Sequence, residues 1–186
     1  MQTVQGIRYF AVVHVRGTAL GLDVRWLGSR GLMLTALLVL FTPGGLLNSD
    51  GTLPAMARLA VGLSSLLAVV LTSLVHEFGH ALAGRLAGLP VRAIVLAPEG
   101  AATIRDESDR PDVNFRTALA GPLVNALLGT MCAALAGSVA QDTFAATFFG
   151  QLAALQLLTG LANLLPFGPM DGTKILAAWR ACRALA

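Results

Sequence analysis

His76, Glu77 and His80 form an HEFGH motif at the end of an uncharged apolar run over residues 59–75. On a helix, side chains four residues apart stand on one face. His76 and His80 can therefore grip one metal ion while Glu77, between them, reaches an attacking water. The bland alternative is a pair of buried histidines hydrogen-bonded to neighbouring helices, but two histidines and a glutamate in this order are a demanding coincidence. Ionisable side chains at membrane depth are costly to keep, which argues that they are used. The chemistry this pattern supports is metal-dependent hydrolysis within the bilayer.

A catalytic zinc site commonly takes three protein ligands and leaves a position for water, so the two histidines need a third partner. The acids after the motif are Glu99, Asp106, Glu107, Asp109, Asp112, Asp142 and Asp171. Solvation is enough to explain the charged stretch 106–112, and Asp142 falls in a short loop expected on the opposite face. Glu99 and Asp171 remain. Glu99 belongs to an expected strand turn. Asp171 follows the irregular stretch Asn163-Leu164-Leu165-Pro166-Phe167-Gly168-Pro169-Met170 and precedes Gly172. Non-helical backbone at membrane depth is tolerated where protein or a water-filled cavity receives it, as a hydrolytic site would, and the lesser alternative is that Asp171 simply caps a helix starting near Gly172.

The elements that must position these residues are mostly transmembrane helices. Of the 186 residues, 55% are hydrophobic and 12% charged, with a mean hydropathy of +0.72, which excludes an ordinary soluble domain. The uncharged runs 31–49, 59–75, 117–141 and 143–170 each meet or approach the roughly 20 residues that span a bilayer, so about four spans are expected. Pro43-Gly44-Gly45 should end the first of them early. Pro122 should kink the third, where Asn125 is expected to bond across helices, as are Gln151 and Gln156 of the fourth. If Arg85 marks the interface, His80 lies about 8 Å and His76 about 14 Å inward.

Two β-prone regions flank this helical core. Residues 9–15 and 19–26, around Arg16-Gly17-Thr18, suit a hairpin on the membrane surface, with His14 an exposed strand residue. Residues 91–96 and 101–104, joined by Pro98-Glu99-Gly100, suit a second, after Gly88-Leu89-Pro90 stops the HEFGH helix. The chain thus reads as one integral-membrane peptidase domain, with residues 1–30 as a membrane-surface β segment and 31–186 as the transmembrane catalytic core. Cys132 and Cys182 give neither a disulfide framework nor a thiolate metal site. The formal charge of +3 is spread over membrane-flanking segments, which argues against nucleic acid as a partner. Lys and Arg number four before the first expected span, one between the first and second, five in 85–116, none between the third and fourth, and three after the fourth. The positive-inside rule then puts both termini and the 85–116 loop in the cytoplasm, with the site opening toward it.

HEFGH, followed at long range by Asn163, Pro166, Asp171 and Gly172, resembles the HExxH and NPDG signatures of site-2 proteases, zinc metalloproteases that cut membrane-spanning segments. Gly121-Pro122 with Asn125 resembles a further motif of that family, and the β-prone regions resemble its membrane-associated strands. The resemblance runs from about Gly17 to Lys174. It implies one Zn2+ held by His76, His80 and Asp171, with Glu77 as catalytic base. It also implies a mainly α, multi-pass protein of the cell membrane whose partners are the lipid bilayer and a transmembrane protein or peptide substrate. Glu99-Gly100 departs from the glycine pair common in relatives, and no PDZ or CBS domain is expected. The expected activity is intramembrane endopeptidase action on membrane-anchored substrates, in regulated intramembrane proteolysis or remnant signal peptide clearance. The alternatives are a catalytically silent metal- or helix-binding membrane protein of the same fold and a zinc transporter, which does not require Glu77.

Overall fold

A computed structural model of the chain describes residues 2–4, 7–15, 17–27, 55–97, 100–140 and 143–185. The expected first span at 31–49, with Pro43-Gly44-Gly45, lies outside the described residues, as do Pro98, Glu99 and Asp142. In chain order the elements are β1 (Gln2–Val4), β2 (Ile7–Val15), β3 (Thr18–Asp23), a 3-10 turn (Val24–Leu27), α1 (Ala55–Leu86), β4 (Val91–Ala97), β5 (Gly100–Arg105), α2 (Pro111–Ser138), α3 (Phe144–Asn163) and α4 (Asp171–Ala184).

Among the described residues, three helices, over Arg58–Leu86, Pro111–Ser138 and Phe144–Asn163, are long and apolar enough to cross a membrane. Their packing is inverted relative to a soluble bundle. Leu63, Leu67, Phe78, Leu82 and Leu86 of α1 are exposed along one side, whereas its Ser64, Ser65, Thr72, His76 and His80 are buried. On α2, the buried positions are Thr117, Ala118, Gly121, Pro122, Asn125, Gly129 and Cys132, spaced at helical intervals. Lipid is as apolar as leucine, so no hydrophobic force pulls leucines inward, and small residues let the helices approach each other closely.

Each helix boundary has a local cause. α1 ends in a Schellman motif: Gly88 adopts φ +78, Leu89 N–H donates to the Gly84 carbonyl at 2.9 Å, and Gly88 N–H donates to that of Arg85 at 3.0 Å. Helix α2 starts at Pro111 and takes in Asp112, earlier than a solvated loop over 106–112 would allow, because proline is well suited to a first turn that needs no N–H partner. It then continues past Pro122 to Ser138 as one element. The fourth apolar run, 143–170, divides: α3 stops at Asn163, and Pro166, Gly168 (φ +62) and Pro169 interrupt the backbone before α4. Asp171 is thus the first residue of a helix rather than part of the irregular stretch, and its N-cap is Met170.

The five strands form a single sheet in the order β1-β2-β3-β4-β5. Strands β2 and β3 pair antiparallel, as do β4 and β5, while β3 and β4 lie parallel with Ala19 opposite Ala93 and Leu20 opposite Ile94. A parallel neighbour requires a long crossover, and α1 lies within it. Strand β3 ends at Asp23, so residues 24–27 turn as a 3-10 helix where extended chain was expected. Side chains alternate across the sheet. Tyr9, Ala19, Ala93, Val95 and Ile104 cluster together, whereas Val91 and Ile94 pack with Ala81 and Leu74 of α1. His14 is exposed on β2.

Candidate metal centre

The site is built where α1, α2 and the start of α4 meet. His76 and His80 stand one turn apart on the buried side of α1, with ring centroids 4.7 Å apart and planes at 85°. Asp171 comes from a segment 95 residues after His76 and is 6% exposed. Its Oδ2 lies 2.9 Å from His76 Nε2 and 3.0 Å from His80 Nε2, and the two Nε2 atoms are 3.1 Å apart. Among the described residues these three form the one cluster of His, Cys, Asp or Glu side chains whose ligand atoms could hold a metal ion.

The donor set fits zinc. Two imidazole nitrogens and a carboxylate oxygen bound at about 2.0–2.1 Å around a tetrahedral ion would stand about 3.3 Å apart, close to the triangle observed. His80 Nδ1 lies 2.8 Å from the Thr117 carbonyl oxygen, to which it donates, and this fixes the tautomer that leaves Nε2 free as a ligand. The second carboxylate oxygen of Asp171 is 3.6 Å from Lys174 Nζ. Glu77 is buried next to the first histidine, 8% exposed.

Close backbone approach makes this geometry possible. A Cβ on Gly121 would lie 2.5 Å from His80 Nε2 and 2.9 Å from His76 Cε1, and one on Gly79 would lie 2.8 Å from the Ala120 carbonyl oxygen. A Cβ on Gly172 would overlap the carbonyl oxygens of Leu164 and Leu165, so only glycine lets the irregular stretch fold back over the start of α4 and deliver Asp171.

The sheet holds the site helix from the other side. Thr103 of β5 donates its hydroxyl to the backbone carbonyl of Glu77 at 2.9 Å. Farther along α1, Arg85 donates to the Thr18 hydroxyl, which in turn donates to the Val91 carbonyl at 3.0 Å, tying the starts of β3 and β4 to the helix end. Arg105, at the end of β5, is partly buried; burial lowers its pKa, opposed by the charges of Glu107, Asp171 and Glu77. A guanidinium within electrostatic reach of Glu77 and Asp171 is a site feature that the sequence does not announce. Nothing in the local pattern of β5 says which helix its end will face.

The other sequence candidates lie apart from this cluster or outside the description. Glu99 and Asp142 are among the undescribed residues. Asp106 pairs with Arg92 at 3.0 Å, and Asp112 with Arg110 at 2.9 Å and Arg116 at 3.6 Å, so salt bridges account for these acids. Asn163 donates to the Thr159 carbonyl at 3.0 Å within its own helix. Gln151 makes the cross-helix bond expected of it, accepting from Ser65 at 3.1 Å, whereas Asn125 and the Gln156 carbonyl oxygen have no hydrogen-bond partner among the described residues.

Several known proteins resemble this chain in sequence or fold. A family model described as peptidase M50B-like matches residues 52–168. The chain is 34% identical over 137 residues to Rip3 of Mycobacterium tuberculosis, a match covering 70% of this chain and 35% of Rip3. It is 30% identical over 103 residues to a zinc metalloprotease of Methanocaldococcus jannaschii, covering 55% of this chain and 30% of that protein. It is 31% identical over 126 residues to stage IV sporulation protein FB of Bacillus subtilis, covering 66% and 42% respectively. The matches therefore span less than half the length of these relatives. The solved structure of a site-2 protease from Methanocaldococcus jannaschii superposes with a TM-score of 0.67 at 21% identity, covering 94% of this chain and 72% of that one, and so shares the fold. With a helical core of membrane-spanning length, three convergent metal-ligand atoms and a family match across most of its residues, the chain belongs to the peptidase M50B-like, or site-2 protease, family of intramembrane zinc metalloproteases.

Proposed function

We propose that this protein is an intramembrane zinc endopeptidase, one catalytic domain that cuts peptide bonds in or near the transmembrane segments of membrane-anchored substrates. The observation that carries the reading is the meeting of His76 Nε2, His80 Nε2 and Asp171 Oδ2 within about 3 Å of one another beside the buried Glu77. His76, His80 and Asp171 would hold one zinc ion per chain, and zinc there supplies Lewis acidity and lowers the pKa of water. Glu77 takes the proton from water as its oxygen attacks the peptide carbonyl carbon. As the C–N bond breaks, Glu77 delivers that proton to the leaving amine. Arg105 adds positive charge near Glu77 and Asp171, and Thr103 keeps the Glu77 turn of α1 against β5.

A substrate helix hides its carbonyls in hydrogen bonds to the following turn, so the substrate must unwind locally before it is cut. Helix-breaking residues near the cut site are expected. The alternation of basic and non-basic loops supports a cell-membrane orientation with the site opening toward the cytoplasm. Regulated proteolysis of a membrane-anchored factor and clearance of remnant signal peptides both suit such an enzyme.

Glu77→Gln separates the enzyme from a silent metal-binding protein of the same fold, because the amide keeps the shape but cannot accept the proton. Zinc content and cleavage of a model transmembrane substrate are measured on the same purified samples. The expected result is unchanged zinc with cleavage reduced at least about a hundredfold. Normal turnover by the glutamine variant would overturn the mechanism, and zinc binding without any cleavage by the unmodified protein would favour the silent reading.

A further inference from the structure

The two histidines of the centre are completed differently. His80 Nδ1 has the Thr117 carbonyl, but His76 Nδ1 is buried with no hydrogen-bond partner among the described residues. The same holds for the Thr72 hydroxyl, both polar atoms of the Asn125 amide and the Gln156 carbonyl oxygen. Thr72 is 2% exposed, Asn125 0% and Gln156 2%, and each comes from a different helix. An unpaired buried polar group is costly, and the penalty does not shrink in a membrane interior.

The helix contacts put these groups on one side of the metal centre, within about two turns of it. His80 meets Thr117 while His76 lies against Gly121, so α1 and α2 run in opposite directions past each other. Thr72 is one turn before His76 and Asn125 one turn after Gly121, so both lie just beneath the metal centre, on the side away from Arg85. Across the α2/α3 contact, a Cβ on Gly160 would stand 3.2 Å from the Asn125 Cβ, and one on Gly129 would stand 3.2 Å from the Gln156 Cβ. Gln156 is therefore within about one turn, roughly 5 Å, of the Asn125 level, a distance that a glutamine side chain can reach.

We propose that Thr72, Asn125 and Gln156 form a buried water-binding pocket whose water completes the surroundings of His76, an inference that rests on the zinc-centre reading above. With Nε2 turned to the metal, His76 Nδ1 carries the proton and donates. A water that accepts from it can donate onward to the Asn125 and Gln156 carbonyl oxygens, and the Thr72 hydroxyl can accept or donate as needed. Buried waters typically make two to four such bonds. A histidine ligand almost always gives its second N–H to a carboxylate, a carbonyl or a water, and losing that partner typically costs ten- to a hundredfold in metal affinity. His80 uses a carbonyl, and on this account His76 uses the water. Thr72, Asn125 and Gln156 are positioning residues acting through that water.

The test uses near-isosteric apolar replacements, Thr72→Val, Asn125→Leu and Gln156→Met, with Thr72→Ser as the conservative control, in the full chain in detergent or nanodiscs. Zinc affinity is read by competition with a chelator, and thermal stability is followed alongside. Each apolar variant should bind zinc about tenfold more weakly, and Thr72→Ser should bind it normally. The Thr72→Val/Gln156→Met double variant should be no weaker than the weaker single, because both changes remove the same water. Unchanged zinc affinity in all three apolar variants, or losses that simply add, would overturn the shared pocket. If the unmodified protein binds no zinc, the metal-centre reading falls and this inference with it.

Discussion

The helical bundle and the five-stranded sheet treat polar side chains in opposite ways. In the sheet and its adjoining loops, charges pair with one another near the surface: Arg110 with Asp112 at 2.9 Å and Arg92 with Asp106 at 3.0 Å. In the bundle, the polar groups around the histidines answer to a centre rather than to each other. His76, His80 and Asp171 converge on one point, and Thr72, Asn125 and Gln156 lie unpaired just beneath it. Paired surface charges are tolerant of change, because water replaces a lost partner. Groups buried in the bundle have no such substitute, so the chemistry concentrates there while the sheet braces it through Thr103 and Thr18.

That contrast predicts a graded series of effects. The largest should come from Gly121→Val, because a side chain there would displace both imidazoles. Zinc affinity should fall by more than a hundredfold and cleavage should vanish, even if the protein still inserts and purifies, as chelator competition and a cleavage assay would reveal. A variant that keeps zinc would mean that α2 does not press on the histidines. Next is Thr103→Val, which removes the bond from the sheet to the Glu77 carbonyl. We expect about 1 kcal/mol of lost stability and a several-fold drop in cleavage with zinc unchanged; an equal loss of zinc would move Thr103 from brace to metal support.

The smallest effect belongs to Asp23→Asn in the sheet. Burial alone would raise the Asp23 pKa, but hydrogen bonds from the Arg25 side chain and backbone, together with its charge, hold it below the ordinary value of 3.8. A carboxyl whose folded pKa is depressed contributes stability above its unfolded pKa and loses it as pH falls through the folded one. At neutral pH the asparagine variant should therefore be less stable by at most about 1 kcal/mol, and the difference should close below about pH 4. Hydrogen exchange of the β2–β3 amides at both pH values reads this directly, with zinc content unaffected at either.

How much of this was legible in the sequence follows from how local each feature is. His76, Glu77 and His80 were readable because helix periodicity alone puts them together. Their partner was not, since Asp171 lies 91 residues beyond His80 and the residues left Glu99 in contention until family resemblance favoured Asp171. The strand-forming stretches carried their own signal in β-branched residues and bounding turns. Their union into one sheet through the parallel β3–β4 pairing did not, because it depends on the long crossover containing α1. Gly172 looked like half of a motif. Its physical task, making room for the Leu164 and Leu165 carbonyls, appears only when the chain folds back. Asn125 and Gln156 are expected to bond across helices, and the described structure gives neither the Asn125 amide nor the Gln156 carbonyl oxygen a protein partner there.

The central claim is that the chain after the third described membrane-spanning helix folds back to bring Asp171 to the HEFGH face as the third zinc ligand. Zinc-edge X-ray absorption on the purified protein, with zinc stoichiometry measured in parallel on Asp171→Ala and Glu99→Ala, tests it most directly. The account predicts one zinc per chain, bound at about 2.0–2.1 Å by nitrogen and oxygen with no sulfur. It also predicts that zinc is lost in Asp171→Ala and fully retained in Glu99→Ala. Zinc kept without Asp171 and lost without Glu99 would contradict both the ligand set and the meeting of α1 with the start of α4.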